Sequence, residues 1–344
     1  MVHDRNVSNR KDDHLRINLE KDVQSGFTTG LEDYVLEHCA LPEINLKDVD
    51  TTCKFLGHAL QFPMIISSMT GGNSEGGKIN QHLAEAAQDQ GVALGLGSQR
   101  AMLEQTELVS TFSVRSFAKS IPIFGNIGAV QFNYGLTVDD CLRLVDSIKA
   151  DGLIVHLNPL QEALQPEGET QFAGLARKIE TLCKKAEFPV IVKEVGWGIS
   201  GKTARKLIDA GVSALDVAGA GGTSWSQVEA NRIEEEGAQR IAFEFKKWGI
   251  TTSDSILHVR TVNRKIPLIA SGGIRNGIEV AKCIALGADI CGVAGRILKA
   301  ATKSTKAVID DLAEIKQEMR IAMFATSSLQ ISDLRAQKIS RLNG

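Results

Sequence analysis

Two glycine-rich turns give the first chemical signal in the sequence. Ser271-Gly272-Gly273-Ile274-Arg275 and Gly292-Val293-Ala294-Gly295-Arg296 each close an apolar run. A residue without a Cβ lets backbone N–H groups come close to a phosphate, and a helix starting after such a turn adds the positive end of its dipole. One such turn is only a tight turn; two on consecutive elements predict a phosphate cradle. A third run, Val192-Lys193-Glu194-Val195-Gly196, carries an ammonium into apolar surroundings, which is costly unless a charge offsets it. That charge is either an internal carboxylate, Glu194 or another, or an anionic ligand. A reduced isoalloxazine ring, negative near its N1 and O2, is a ligand of that kind. Thr70, Ser98 and Asn126, near the ends of three earlier runs, are neutral groups suited to the polar edge of a flavin, and equally to helix capping.

The densest polar cluster is His156-Leu157-Asn158-Pro159-Leu160-Gln161-Glu162. On a strand, His156 and Asn158 point to the same side. Magnesium commonly takes one protein carboxylate together with substrate phosphates and water, so Glu162 beside a diphosphate is a sufficient ligand. The plainer alternative is a first-turn acid held by the helix dipole. By composition, Arg10-Lys11-Asp12-Asp13-His14 is a solvated charge patch. Together with Ser98-Gln99-Arg100 it would also grip a phosphorylated substrate outside the cofactor's own phosphate site.

Such groups need a scaffold that brings chain ends together. Eight nearly continuous apolar runs read as buried parallel strands: 62–69, 92–98, 122–128, 152–158, 189–195, 214–219, 267–273 and 290–295. The first four start about thirty residues apart, the length of a βαβ unit. Between runs lie helical stripes such as Ile79, Leu83, Ala86 and Ala87, or Leu175, Ile179 and Leu182. Thr137 with Asp140 marks a helix start, and Gly91, Gly211 and Gly287 mark helix ends. The pattern predicts an α/β fold, a (β/α)8 TIM barrel over 62–326 whose strand carboxyl ends carry the chemistry. Residues 1–61 are expected as an N-terminal extension, with the basic segment and a two-stranded ribbon over Asp48 to Gln61 that turns at Leu56-Gly57 and plugs the barrel's bottom. The long stretch from Gly221 to Lys265 is expected to carry an insertion serving the site, and a C-terminal helix near Thr305 to Ala325 precedes a polar tail, 327–344, that is mobile or used in assembly.

A formal net charge of -2 and a pI near 6.4 give no electrostatic reason to expect nucleic acid or an anionic membrane. The six scattered cysteines form no Cys-x-x-Cys pair, so neither a structural zinc site nor a redox dithiol is expected. No run of about eighteen apolar residues exists, and the polar first residues resemble no leader peptide. These features predict a cytoplasmic protein, and the terminal extensions predict a homo-oligomer.

In this order the motifs Arg-Lys-Asp-Asp-His (10–14), Ser-Met-Thr-Gly-Gly (68–72), Gly-Ser-Gln-Arg (97–100), His-Leu-Asn with Gln161-Glu162, Val-Lys-Glu-Val-Gly (192–196), Gly-Gly-Thr-Ser-Trp (221–225) and Gly-Gly-Ile-Arg (272–275) resemble the FMN-dependent type 2 isopentenyl diphosphate isomerases. The likeness runs from Arg10 to about Thr326. It implies that Ser68, Met69, Thr70, Ser98, Asn126, Lys193, Thr223, Gly273, Arg275, Ala294 and Gly295 contact FMN. It further implies that Arg10, Lys11, His14, Ser98, Gln99, Arg100, His156, Asn158 and Gln161 meet a small diphosphate substrate, with Glu162 on Mg2+. The implied reaction of isoprenoid biosynthesis moves a double bond by one carbon with no net redox change, after FMN has been reduced by NAD(P)H. Gln161 is expected to orient or relay a proton, with Glu229 as its partner. Ala218 stands where some relatives carry a flavin-bonding hydroxyl, which puts that one contact in doubt.

Three rival readings differ in identifiable residues. An FMN-dependent 2-hydroxy acid oxidase needs a histidine base and an arginine for the carboxylate near strands 6 and 7, and the histidine is missing where Gly-Gly-Thr-Ser-Trp occupies the strand 6 loop. An inosine monophosphate dehydrogenase-like barrel needs a nucleophilic cysteine in a top loop, whereas Cys283 falls in a helical stripe and Cys291 within a strand. A non-catalytic flavin- or phosphate-binding barrel would keep the cradle without needing Arg10, Lys11, Gln161 and Glu162.

Overall fold

Every apolar run becomes a strand of one closed parallel barrel in the computed structural model, which describes residues 13–342. The strands are β1 (Met64–Ile66), β2 (Ala93–Gly95), β3 (Ile123–Gly128), β4 (Gly152–Leu157), β5 (Val190–Glu194), β6 (Ala214–Asp216), β7 (Leu268–Ser271) and β8 (Ile290–Val293). Closure is made by β8 on β1, in the register Cys291 to Met64 and Val293 to Ile66. Because side chains alternate along a strand, one set fills the barrel and the other faces the helices. Ile65, Ala93, Phe124, Ile154, Ile191, Ala214, Ile269 and Ile290 form the inner set. Met64, Leu94, Leu153, Val192, Leu215 and Leu268 belong to the outer core beneath the helices.

Phe55 and Leu60 complete the inner cluster from a ribbon, Cys53–Phe55 paired with His58–Leu60. Its turn at Leu56 (φ 47°) and Gly57 (φ 87°) is left-handed at both central positions, the geometry that matches the twist of a two-residue hairpin. The ribbon thus stoppers the amino-terminal end, leaving the carboxyl end for ligands.

The helical stripes pack on the sheet largely as their spacing predicts. In the helix Val138–Ser147 the buried residues are Cys141, Leu144 and Val145. Thr137 and Asp140 form the reciprocal cap, and Gly91 and Gly287 end their helices in the left-handed region. The helix Thr305–Ala325 has the expected bounds. The segment beyond it is no loose tail: Ile331–Ala336 is helical, with Ile331 and Leu334 buried. Ile339–Arg341 then pairs antiparallel with Tyr34–Leu36. Among the described residues no helix is long and apolar enough to cross a membrane.

Two segments cover the carboxyl end. Residues 13–20 are helical, and the chain then runs over the loop after β6, with Ser25 N–H on the Gly222 carbonyl (2.8 Å) and Ser224 N–H on the Val23 carbonyl (2.8 Å). Ile17 and Val23 pack on Val228 beside Trp225. The insertion after β6 contributes the helices Trp225–Ala230 and Glu236–Glu244 before the regular helix Thr252–Val262.

Candidate active site

The carboxyl ends of the strands open into a cavity of about 720 Å³. All the residues expected to contact a flavin line it, from Ser68, Met69 and Thr70 after β1 to Ala294 and Gly295 after β8. His14, Arg100, His156, Asn158, Gln161 and Glu162 line it too. Arg10 and Lys11 lie outside the described residues.

The first of the two turns expected to cradle a phosphate, after β7, packs backbone to backbone on the loop after β6. Gly272 (φ 103°) and Gly273 (φ 78°) stand in the left-handed region. A Cβ on Gly273 would come within 2.4 Å of the Gly221 carbonyl oxygen, and one on Gly222 within 2.5 Å of Gly273 N. At Gly295 an added Cβ would meet nothing within 4 Å, which leaves open space over the backbone. Arg275 donates to the Gly221 carbonyl at 3.3 Å and lines the cavity beside the cradle.

Lys193 resolves one alternative left open by the sequence. Its Nζ lies 3.3 Å from Asp216 Oδ2 on β6, 3.4 Å from Ser271 Oγ and 3.0 Å from the Glu194 carbonyl oxygen. The Glu194 carboxylate turns the other way and accepts the backbone N–H groups of Val195, Gly196 and Trp197 at 2.5–2.7 Å. Burial nonetheless pushes the Glu194 carboxyl up to about 7, against those three bonds. Lys193 therefore has a fixed counter-charge on one side and the cavity on the other.

On the neighbouring strands, where His156 of β4 lies in register beside Lys193 of β5, Asn126 Oδ1 and His156 Nδ1 are 2.9 Å apart. Glu162 is buried and accepts Asn158 Nδ2 on Oε1 (2.8 Å), and Gln165 Nε2 (2.5 Å) and Glu169 N–H (2.8 Å) on Oε2. Arg100 is held by a bidentate pair with Glu169, at 2.7 and 2.8 Å. Gln99, expected to meet substrate, does not line the cavity. Its side chain is fully buried and its amide oxygen accepts Asn126 N–H at 2.8 Å, so it braces β3 instead.

Behind Gln161 sits a buried ion set. Gln161 Nε2 donates to Glu229 Oε1 (3.0 Å), His14 Nε2 reaches the same oxygen at 2.9 Å, and Arg232 holds Oε2 at 2.7 Å. Burial raises the Glu229 carboxyl, but the bonds from His14 and Gln161 and the charge of Arg232 outweigh it and hold it down at about 2. Glu229 itself does not line the cavity; it is reached through Gln161 and His14.

The FMN-dependent dehydrogenase family matches residues 161–341. The isopentenyl-diphosphate delta-isomerase of Rickettsia africae is 49% identical over 340 residues, covering 98% of this chain and 99% of its own. The chain belongs to the isopentenyl-diphosphate delta-isomerase family. The family member from Nostoc sp. is 50% identical over 331 residues, covering 96% of this chain and 94% of its own. Among solved structures, mandelate oxidase with (S)-2-phenylpropionate aligns with a TM-score of 0.68 at 19% identity, over 96% of this chain and 94% of that one. A mutant of mandelate oxidase with (S)-mandelic acid gives 0.68 at 17%, over 99% and 98%. At such identity the likeness is one of fold.

The cavity fits the flavin that the isomerase family's FMN-dependent relatives use. Ser67 Oγ, Ser68 Oγ and Asn158 Oδ1 are buried without a hydrogen-bond partner on its wall, and such polar atoms are costly unless a ligand or water pairs them. A divalent cation is a different case. Among the described residues no cluster of three His, Cys, Asp or Glu side chains would cage a metal, so Glu162 fits only as one hard oxygen donor beside a phosphorylated substrate. Residues that the sequence did not single out are Asp216, Glu169, Arg232 and the cavity-lining Lys21 and Gln24. Asp216 had one available signal, since it interrupts the sixth apolar run as Lys193 interrupts the fifth.

Proposed function

We propose that this chain converts isopentenyl diphosphate into dimethylallyl diphosphate, in the cytoplasm, with FMN reduced by NAD(P)H and with Mg2+. The observation that carries the reading is that Gln161, Glu162 and the glycine cradle face one cavity, so a phosphate site, a metal-ligating carboxylate and a proton-handling set converge. When bound, reduced FMN supplies an electron-rich ring and a nitrogen that exchanges protons.

The chain's own residues do the rest. The turns at Gly272-Gly273 and Ala294-Gly295, with Arg275, hold the cofactor's phosphate, and Lys193 faces the ring with its charge fixed by Asp216. Glu162 with the cation, and Arg100 with His156 and Asn158, hold the substrate diphosphate, whose binding energy positions the alkene. The segment 13–25 and Trp225 roof the opening and exclude water, which matters because protonating an unactivated alkene creates a positive charge that water would capture. Gln161 orients the proton leaving the substrate toward the exchanging nitrogen that reduced FMN would supply, so that it replaces the proton given to the alkene. Glu229, held ionised behind it, stabilises that positive charge rather than serving as a strong base, because a carboxyl held near 2 binds protons weakly.

Purified protein tests the reading: it is expected to carry a flavin spectrum and, after anaerobic reduction, to isomerise isopentenyl diphosphate only with magnesium present. A chain that binds no flavin mononucleotide after reconstitution would overturn it. The oxidase alternative draws support from fold alone, and the histidines lining this cavity, His14 and His156, come from the N-terminal segment and β4 rather than from the region after β6 and β7.

A further inference from the structure

The loop Gln165-Pro166-Glu167-Gly168-Glu169 lies outside the motifs that point to function, yet it touches several of the groups assigned a role. It begins as the short helix Pro159–Leu164 ends and folds back over that helix's own first turn. The fold-back is tight: a Cβ on Gly168 would stand 1.7 Å from the Glu162 carbonyl oxygen. That approach brings the Glu169 N–H to 2.8 Å from Glu162 Oε2, where Gln165 Nε2 donates as well at 2.5 Å. Oε2 is thereby occupied twice, whereas Oε1 carries one bond, from Asn158 at 2.8 Å. A carboxylate oxygen has two lone-pair sites, so Oε1 is the oxygen left able to ligate a cation.

The other end of Glu169 points at the phosphate side. Its carboxylate accepts both terminal nitrogens of Arg100 at 2.7 and 2.8 Å, and Gln131 Nε2 at 2.5 Å. Arg100 and Gln131 line the cavity; Glu169 does not. A fork-to-fork pair fixes the plane of the guanidinium, which a single contact would leave free to swing. The loop is anchored on its far side too, by Glu167 to Arg232 at 2.6 Å, and Arg232 in turn holds Glu229.

We propose that Glu169 is a positioning residue that locks Arg100 and Glu162 to each other through one loop, so that the guanidinium and the metal-ligating oxygen grip the two ends of a magnesium diphosphate as a unit. The inference rests on the reading of the site as a diphosphate clamp. It assigns Glu169 no contact with substrate: its backbone orients the metal ligand and its side chain orients the cation. Loss of the side chain therefore frees Arg100 directly and, by releasing the loop from Arg100 and Gln131, loosens the backbone N–H that holds Glu162, while leaving the glycine turns after β7 and β8 without a lost contact.

The test uses FMN-loaded full-length protein and inorganic pyrophosphate with Mg2+ as the probe, titrated by calorimetry, beside steady-state kinetics with isopentenyl diphosphate. Glu169→Ala is expected to weaken magnesium pyrophosphate binding and to raise both the KM and the half-saturating magnesium concentration about ten-fold or more, with kcat and FMN affinity nearly unchanged. Glu169→Asp, which keeps the charge, is expected to recover part of the loss. In an Arg100→Ala background the further loss on removing Glu169 is expected to shrink in KM but persist in the magnesium dependence. Pyrophosphate binding and magnesium dependence within about two-fold of the parent in Glu169→Ala would overturn the proposal, as would a fall in kcat and FMN affinity that Glu169→Asp leaves uncorrected. A parent protein that binds flavin but neither pyrophosphate nor isopentenyl diphosphate would instead overturn the diphosphate reading itself.

Discussion

Gln161 Nε2 lies 3.0 Å from Glu229 Oε1, and the same carboxylate oxygen takes His14 Nε2 at 2.9 Å. Since Glu229 is wholly buried and Gln161 lines the cavity, the amide is the step between the carboxylate and anything bound there. Removing it should therefore affect turnover far more than substrate capture. Gln161→Ala is expected to lower kcat on reduced FMN by about 10²–10⁴-fold, the usual range for a positioned proton-handling group, with KM changed little. Full turnover by that variant would eliminate the role given to Gln161.

The same carboxylate makes a prediction about acid stability. Glu229 is held at about 2 against an ordinary 4.5, so the folded state favours its ionised form. For a lowered carboxyl the stabilisation is complete above about pH 4.5 and is lost as pH falls toward about 2, because the unfolded chain binds the proton first. The shift corresponds to about 3 kcal/mol. Urea unfolding of the parent chain is expected to lose that increment between pH 4.5 and pH 2, while Glu229→Gln lacks the step. Other carboxyls, Glu194 among them, titrate in both proteins and cancel in the difference. Parallel stability curves for the two proteins would rule the ion set out as its source.

Much of this site was legible in the sequence because the barrel converts local signals into position. Each apolar run supplies a strand, and each strand's carboxyl end lies at the same opening, so Thr70, Asn126, Lys193 and Gly273 converge without any long-range inference. What could not be read depends on pairings distant in the chain. Gln99 looked like a companion of Arg100, but a side chain's direction at a strand-to-helix turn is decided by what it can bond, and the Asn126 N–H claimed it. The partner of Lys193 was open between Glu194, some other carboxylate and an anionic ligand because the β5 to β6 register, Lys193 beside Asp216, is set only when the barrel closes. The segment after Ser327 carries no periodicity over the three residues Ile339–Arg341, and its fold is dictated by Tyr34–Leu36, some three hundred residues earlier.

The Lys193 to Asp216 pair separates cofactor binding from folding. Both side chains are largely buried, so removing the lysine leaves Asp216 facing a flavin site without its counter-charge, though Ser271 Oγ still donates to it at 2.6 Å. Breaking a buried pair on one side usually costs about 3–5 kcal/mol. Lys193→Met is expected to lower thermal stability and to weaken FMN about 10–100-fold, the worth of a charged hydrogen bond, with the reduced form losing more than the oxidised form. The double variant Lys193→Met with Asp216→Asn should recover stability but not flavin affinity. Recovery of both would place the lysine's effect in the fold alone.

Gly273 offers the sharpest test of the cradle. Its φ of 78° disfavours any side chain, and an added methyl would press to within 2.4 Å of the Gly221 carbonyl oxygen and 2.6 Å of Thr29 Cγ2. Neither neighbour can yield cheaply: a Cβ on Gly221 would itself stand 2.4 Å from Thr29 N, so that backbone is already packed on Thr29, and Thr29 is buried. Gly273→Ala is therefore expected to push the loops after β6 and β7 apart, at a cost of about 1–3 kcal/mol in stability. On the proposed reading, backbone N–H groups whose positions those two loops share hold the phosphate, so FMN affinity should fall by more than the stability change alone would produce. Equilibrium flavin binding and urea unfolding on the same preparation separate the two effects. Gly295→Ala is the control, since its Cβ would meet no protein atom: it should fold normally and lose affinity only if phosphate occupies the open space above that residue. Undiminished flavin binding in both variants would mean that the paired glycine turns are not the phosphate site.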